Sequence, residues 1–383
     1  MALHFTRDEF AARQARTVAA MERAGLDGLL MFRQESMYYL SGYDTFGYVF
    51  FQCLYLGVDG RMTLLTRAPD RLQAKHTSIV EDVRIWIDAP DATPAEALRD
   101  ILVAHGCRGK TLGVEWEAYG LTARNGQRLS AALDGVAKLV DASEIVSRLR
   151  VAKSPVELTY ARKAAALADA ALEEARRLAR PGAFEGDILA AMQGVVYRGD
   201  GDDPANEQII GSGPDALLCR YHSGRRRLSA NDQLTLEFAA AYRHYHCCFM
   251  RTLGIGKVDP RLVEMHKAAK DALVAAETAL KPGRPIGEVF DAHARVLDAA
   301  GHRAHRLNAC GYSVGTTFAP NWMDWPMFYH ANPYVAEPGN VFFMHMIVFD
   351  DANGLAMTLG RTSEVTATGS RTLSTAPLDF AVG

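Results

Sequence analysis

The sequence predicts two domains, an α/β domain over residues 1–150 and an α+β domain over residues 151–383. Three observations lead there. A chain of 383 residues is too long for one ordinary core. Up to about residue 150, short apolar runs alternate with amphipathic stretches, as in a sheet covered by helices. Beyond it, long helical stretches and apolar strand-like runs fall into separate groups, which suits an antiparallel sheet with helices on one side.

The elements follow in order. Phe10, Ala11, Ala15, Val18, Met21 and Leu26 recur at helical spacing after Asp8, and the stretch ends at Gly25 before the strand-like run Leu29-Leu30-Met31-Phe32. Residues 37–57 are rich in Tyr, Phe and Leu and lead into Val58-Asp59-Gly60, a turn signal between two strands. Further strands are expected at 62–66, 83–87, 111–114 and 138–140, alternating with helices at 94–105 and 121–133. Ser154-Pro155-Val156-Glu157 reads as a helix start, with Ser at the cap, Pro at the first helical position and a carboxylate in the first turn. An Ala-rich helix to about residue 180 follows, then Pro181-Gly182 and a helix to about residue 198. Strands are expected at 208–211 and 233–239, helices at 260–280 and 286–300, and closing strands at 341–349 and 356–366.

Composition narrows the function. With 49% hydrophobic and 23% charged residues and a net charge of −3, there is no nucleic-acid footprint and no polyanionic tail, so small molecules or peptides are the expected partners. No run approaches the roughly 18 apolar residues of a membrane span, and the polar start gives no signal-peptide core; a cytoplasmic protein is expected. Cys53, Cys107, Cys219, Cys247, Cys248 and Cys310 are scattered without CxxC spacing, and most of them read as reduced core residues.

Several motifs carry a family likeness. Phe5-Thr6-Arg7-Asp8-Glu9-Phe10, the run Leu149-Arg150-Val151-Ala152-Lys153-Ser154-Pro155, the turn Lys281-Pro282-Gly283 and the stretch Ala336-Glu337-Pro338-Gly339-Asn340-Val341 together resemble the creatinase/aminopeptidase P family, M24. The resemblance spans essentially the whole chain. It implies a ribonuclease-H-like α/β domain of the creatinase N-terminal type, followed by an α+β pita-bread domain. It also implies a homodimer whose sites are completed by the partner's N-terminal domain. Most members hold two metal ions with two Asp, one His and two Glu, hard ligands suited to divalent cations that activate a bridging hydroxide. Aligned by motif, those positions fall here on Glu237, Cys248, Tyr312, His345 and Gly360. Only Glu237 keeps a carboxylate, so no metal and no other cofactor is expected. The segment from Leu236 to Thr252, with Gly311-Tyr312-Ser313-Val314-Gly315 and Pro320-Asn321-Trp322, looks most like the metal-independent ectoine-hydrolase and creatinase-like branch. One departure stands out: the family's catalytic His appears here as Arg220.

The candidate catalytic residues are Glu237, His345, His222, Tyr312 and Cys248. Glu237 sits among Leu234, Leu236 and Phe238, where burial should raise its pKa and suit it to act as base or nucleophile; the plainer reading is a structural ion pair with Arg220 or Arg225. His345 occupies a former ligand position and reads either as an acid/base group or as a core histidine. His222 could supply the imidazole lost at Arg220. Tyr312 could donate to a developing oxyanion or fill the vacated metal volume. Cys248 reads as a nucleophile or as a small hydrophobe, and only one of Cys247 and Cys248 can face a site. Substrate contacts are expected from Arg220, as a fork for a carboxylate, and from Tyr242, His246, Trp322 and Tyr48. The leading expectation is a metal-independent hydrolase of a non-peptide C–N bond in a small zwitterionic or carboxylate-bearing compound. An Xaa-Pro peptidase, an inactive binding protein and a lyase in the same pocket remain open.

Overall fold

The computed structural model describes residues 3–220 and 224–383. The chain divides into two compact units, Met1–Arg150 and Val151–Gly383.

In the first unit the elements are α1 (Arg7–Arg23), β1 (Gly28–Met31), α2 (Gln34–Ser41), β2 (Cys53–Gly57), β3 (Met62–Arg67), α3 (Arg71–Thr77), β4 (Asp82–Trp86), α4 (Pro94–Ala104), β5 (Thr111–Val114), α5 (Ala123–Leu133), β6 (Lys138–Asp141) and α6 (Ile145–Val151). The six strands lie in the order β4-β3-β2-β1-β5-β6, mixed in direction, with β1 antiparallel to β2 and parallel to β5. The turn at Val58-Asp59-Gly60 joins β2 to β3 as expected. Residues 37–57 differ in part from the expectation: their Tyr, Phe and Leu content suggests strand, yet Gln34–Ser41 forms α2. The reason is long-range. Glu115, fully buried just after β5, accepts the Phe32 and Arg33 N–H groups at 2.9 Å and the Ser36 hydroxyl at 2.6 Å, satisfying donors at the helix start from another element.

In the second unit α7 (Pro155–Leu178) and α8 (Glu185–Arg198) precede β7 (Ile209–Ser212), β8 (Asp232–Tyr242) and β9 (Tyr245–Ile255). Then come α9 (Pro260–Ala279), α10 (Gly287–Ala299), β10 (Gly311–Ser313), β11 (Asp324–Met327), β12 (Val341–Asp350), β13 (Leu355–Val365) and β14 (Ser370–Thr372). The start of α7 is the capping box read from sequence: Ser154 N–H donates to Glu157 at 2.8 Å and Glu157 N–H to the Ser154 hydroxyl at 3.4 Å. The other Glu157 oxygen accepts the Tyr245 hydroxyl at 2.6 Å, so the same residue ties α7 to β9. The strands form one curled antiparallel sheet in the order β11-β10-β12-β13-β9-β8-β7, with β14 on β13. Helices cover one face in two patches. Leu234, Leu236, Phe238 and Phe249 pack with the alanines of α7, while Phe342, Met344, Met346 and Leu359 pack with α9 and α10. The other face is left for a site. No described helix is long and apolar enough to cross a membrane.

Replacing Glu115 by Ala orphans three donors, two of them buried at about 1–3 kcal/mol each and the Arg33 N–H only partly buried. The expected loss is about 3 kcal/mol of local stability, read as faster hydrogen exchange of the Phe32 and Arg33 amides; unchanged exchange would contradict the account.

Candidate active site

Strand alternation decides which side chains can meet. β8 and β9 pair from Asp232↔Ile255 to Tyr242↔Tyr245, so the residues between those packed on the helices point to the open face. Glu237, Ala239, Cys248 and Met250 lie there. From β12 the same rule delivers Phe343, His345 and Ile347. Ala239, Cys248, Tyr312, Trp322, Phe343 and Ile347 are members of one apolar cluster; the field of Arg220 reaches Glu237, Tyr312 and His345, and that of Glu237 reaches Tyr312.

Glu237 is only partly exposed at its surface and otherwise surrounded by protein, and no described residue hydrogen-bonds its carboxyl group. Desolvation pushes its pKa up to about 7, against the opposing field of the Arg220 guanidinium. A carboxyl group that is half ionised near neutrality can take a proton and return it.

The neighbours are neutral. Tyr312 is 3% exposed, and burial holds its phenol far above the usual range. Its hydroxyl accepts the Trp322 indole N–H at 2.8 Å. An indole only donates, so this bond occupies a lone pair and leaves the Tyr312 proton to be given to another group. His345 packs tilted against Tyr312 at 5.7 Å and Phe343 at 5.4 Å between ring centres. Desolvation, with the field of His293 on α10, pulls its pKa down to about 3, so the ring is a neutral acceptor or base rather than an imidazolium acid. Its Nδ1 is sealed from solvent without a hydrogen-bond partner among the described residues. Cys248 is fully buried, and desolvation pushes its thiol well above the ordinary value, which favours the small-hydrophobe reading over a thiolate nucleophile. Cys247 packs on the opposite, helix-covered face.

Arg220 is exposed and stands on a loop whose two ends share one anchor. Glu185, fully buried at the start of α8, accepts the Ser212 hydroxyl at 2.6 Å and the Arg225 and Arg226 N–H groups at 2.9 Å. Gly213, at φ +55°, begins the loop where a Cβ would strike the Arg226 guanidinium at 2.6 Å. His222 lies outside the described residues.

Three expected contacts are placed differently. Tyr242 is five positions from Glu237, so alternation turns it to the helices, where its hydroxyl accepts from Lys163 at 3.2 Å. His246 faces the same side as Cys248, but its ring is engaged by the protein: Nε2 accepts the Ala205 N–H at 2.9 Å, and Nδ1 lies 3.1 Å from the Gly315 carbonyl. It fastens residues 205 and 315 over the sheet. Tyr48 belongs to the first unit, in the turn Gly47–Val49, and is buried there at 8% exposure. Trp322 acts through Tyr312. Sequence reasoning missed Glu185, whose partners are distant in the chain, and Phe343, which its spacing of two from His345 could have revealed.

The donor set does not fit two metal ions. Gly360 lies opposite His345 across the β12–β13 ladder, and a Cβ there would meet the Phe343 ring at 2.9 and 3.0 Å and the Met344 carbonyl at 2.8 Å. The space of the last family carboxylate is thus filled by an aromatic ring. Tyr312 and Cys248 are held protonated. Among the described residues, no three His, Cys, Asp or Glu side chains are grouped to hold a metal ion.

The raised pKa of Glu237 has a stability consequence. The folded state holds this proton more tightly than the unfolded chain, so its contribution is complete below the ordinary carboxyl value of 4.5 and lost as pH rises through about 7. Glu237→Gln should therefore stabilise the protein above neutrality, by about 3 kcal/mol. It should leave stability little changed in acid. Denaturant midpoints at both pH values measure it; an equal effect at both would contradict the assignment.

Comparison with known proteins agrees with this architecture. The model of the creatinase/prolidase N-terminal domain matches residues 13–152, and that of metallopeptidase family M24 matches residues 159–367. An uncharacterized hydrolase/peptidase of Sinorhizobium fredii is 27% identical over 99% of both chains, and the ectoine hydrolase of Halomonas elongata is 25% identical over 98% of both. Among solved structures, the dipeptidase PepE from Mycobacterium ulcerans has a TM-score of 0.84 at 24% identity, covering 99% of each chain. Recombinant prolidase from Thermococcus sibiricus reaches 0.88 at 18% identity, over 98% of this chain and 99% of that one. With a family model matching over half its length, the chain belongs to metallopeptidase family M24, with the creatinase N-terminal and pita-bread domains, and is an enzyme acting on C–N bonds.

Proposed function

We propose that the protein is a metal-independent hydrolase that cleaves a non-peptide C–N bond, an amide, amidine or cyclic amidine, in a small zwitterionic or carboxylate-bearing compound. The observation that carries this reading is Glu237: a carboxyl group raised to about 7 where the family's ligand positions now hold Cys248, Tyr312, His345 and Gly360. The similarity to the ectoine hydrolase of Halomonas elongata supports the bond type.

In the proposed sequence the Glu237 carboxylate takes a proton from water while the water oxygen attacks the carbon of the C–N bond. Tyr312 donates its hydroxyl proton in a hydrogen bond to the negative charge that develops on the heteroatom. The carboxylic acid of Glu237 then returns its proton to the leaving nitrogen as the C–N bond breaks. Arg220, exposed above Glu237, offers a planar fork to the substrate carboxylate. His345, being neutral, accepts a hydrogen bond from an N–H of the substrate. The reading includes a homodimer in which the partner's first unit completes the site. Phe46, Val49 and Phe50, exposed at 78%, 60% and 44%, support such a contact, and a monomer in sedimentation would remove it.

Hydrolysis assays with small cyclic amidines and N-acyl amino acids test the proposal. Turnover should survive exhaustive chelation and rise with pH through about 7, and Glu237→Gln should abolish it. Tyr312→Phe should lower kcat about 100-fold or more. Activity lost on chelation, or cleavage of proline dipeptides instead, would replace this reading by the metallopeptidase one. Undiminished turnover in Glu237→Gln would remove Glu237 from the mechanism.

A further inference from the structure

On the helix-covered face of the sheet, where β9 under α7 meets β13 under α9, a group of basic side chains carries buried nitrogens that no described residue hydrogen-bonds. Arg251 is 2% exposed. Its Nη1 donates to the Met250 carbonyl at 2.8 Å and the Gly360 carbonyl at 2.6 Å, bracing β9 against β13. Its Nε and Nη2 are sealed from solvent and have no acceptor among the described residues. Arg176 on α7 repeats the pattern: Nε and Nη2 are sealed and without hydrogen bonds. Its nearest carboxylates, Glu173 at 3.7 Å and Asp379 at 3.8 Å, are 66% and 63% exposed. His266 on α9, buried against Phe380, leaves its Nε2 unpartnered as well.

The other acids nearby are engaged. Glu277 takes two nitrogens of Arg361 at 2.7 Å each. Asp169 takes the Ser374 hydroxyl at 2.5 Å and the Thr375 N–H and hydroxyl at 2.8 Å. Burial, with the positive fields of Arg176 and Arg361, pulls the Arg251 guanidinium down to about 9, while Asp169 and Asp379 oppose the shift. The groups therefore feel one another. The unclaimed guanidinium atoms are all donors, so the ligand that suits them accepts without donating; a water molecule would bring two further hydrogens needing acceptors. A buried guanidinium whose nearby carboxylates are exposed or engaged elsewhere is also costly.

We propose that a small inorganic anion, of chloride size, binds between Arg176 and Arg251 behind the catalytic sheet and stabilises the junction of β9 and β13. The site is independent of the hydrolase reading, because Arg251 and Glu237 point to opposite faces.

Thermal unfolding of the full chain at constant ionic strength, with sodium gluconate replaced stepwise by sodium chloride, tests the proposal. A saturable rise in Tm is expected, and Arg176→Gln should weaken the apparent chloride affinity about tenfold or more. Crystals soaked in bromide should show an anomalous peak within hydrogen-bond distance of Arg251 Nη2, a readout that uses the unmodified protein. Equal Tm in the two salts, an undiminished chloride effect in the variant, or water alone at this position would overturn it.

Discussion

The site is organised by the desolvation of one carboxyl group. Glu237 is placed by strand alternation on the face that the helices leave free, and no described residue gives its oxygens a hydrogen bond. The field of Arg220 lowers its pKa, but burial is the larger effect, and the group settles near neutrality. The identity of the surroundings follows from that. Anything charged and unpaired beside it would be costly, and the neighbours are a thiol, a phenol and an imidazole, all neutral for the same reason.

This explains how a fold associated with two metal ions holds together without the carboxylates that would bind them. A cluster of carboxylates without cations would repel itself; here their volume has been taken by apolar and neutral polar groups. Phe343 fills the space beside Gly360, and Trp322 fixes the Tyr312 hydroxyl by an indole hydrogen bond. The remaining cation, Arg220, sits outside the buried cluster on a loop. Glu185 holds both ends of that loop from a different helix, through the Ser212 hydroxyl and the Arg225 and Arg226 N–H groups.

Much of this was legible in the sequence, because alternation and capping are local rules. The start of α7 could be read from Ser154-Pro155-Val156-Glu157, and the grouping of Glu237, Cys248, Tyr312 and His345 follows from motif register. The burial of Glu237 could be anticipated from its apolar flanks. What escaped is what depends on distant partners. The helix at residues 34–41 is held at its start by Glu115, and the Arg220 loop by Glu185. His246 looked available for substrate until Ala205 and Gly315 took both its nitrogens. Tyr242 is a different case: parity along β8 already assigned it to the helix face.

The central claim is that Glu237 titrates as an isolated, desolvated carboxyl group. Carbon-13 NMR of protein labelled at the glutamate side-chain carboxyl measures this directly, with Glu237→Gln identifying the resonance. A single transition near 7 is expected, unchanged by chelator or by added divalent cations. A transition near the ordinary value 4.5, or one that shifts down on adding metal, would contradict it.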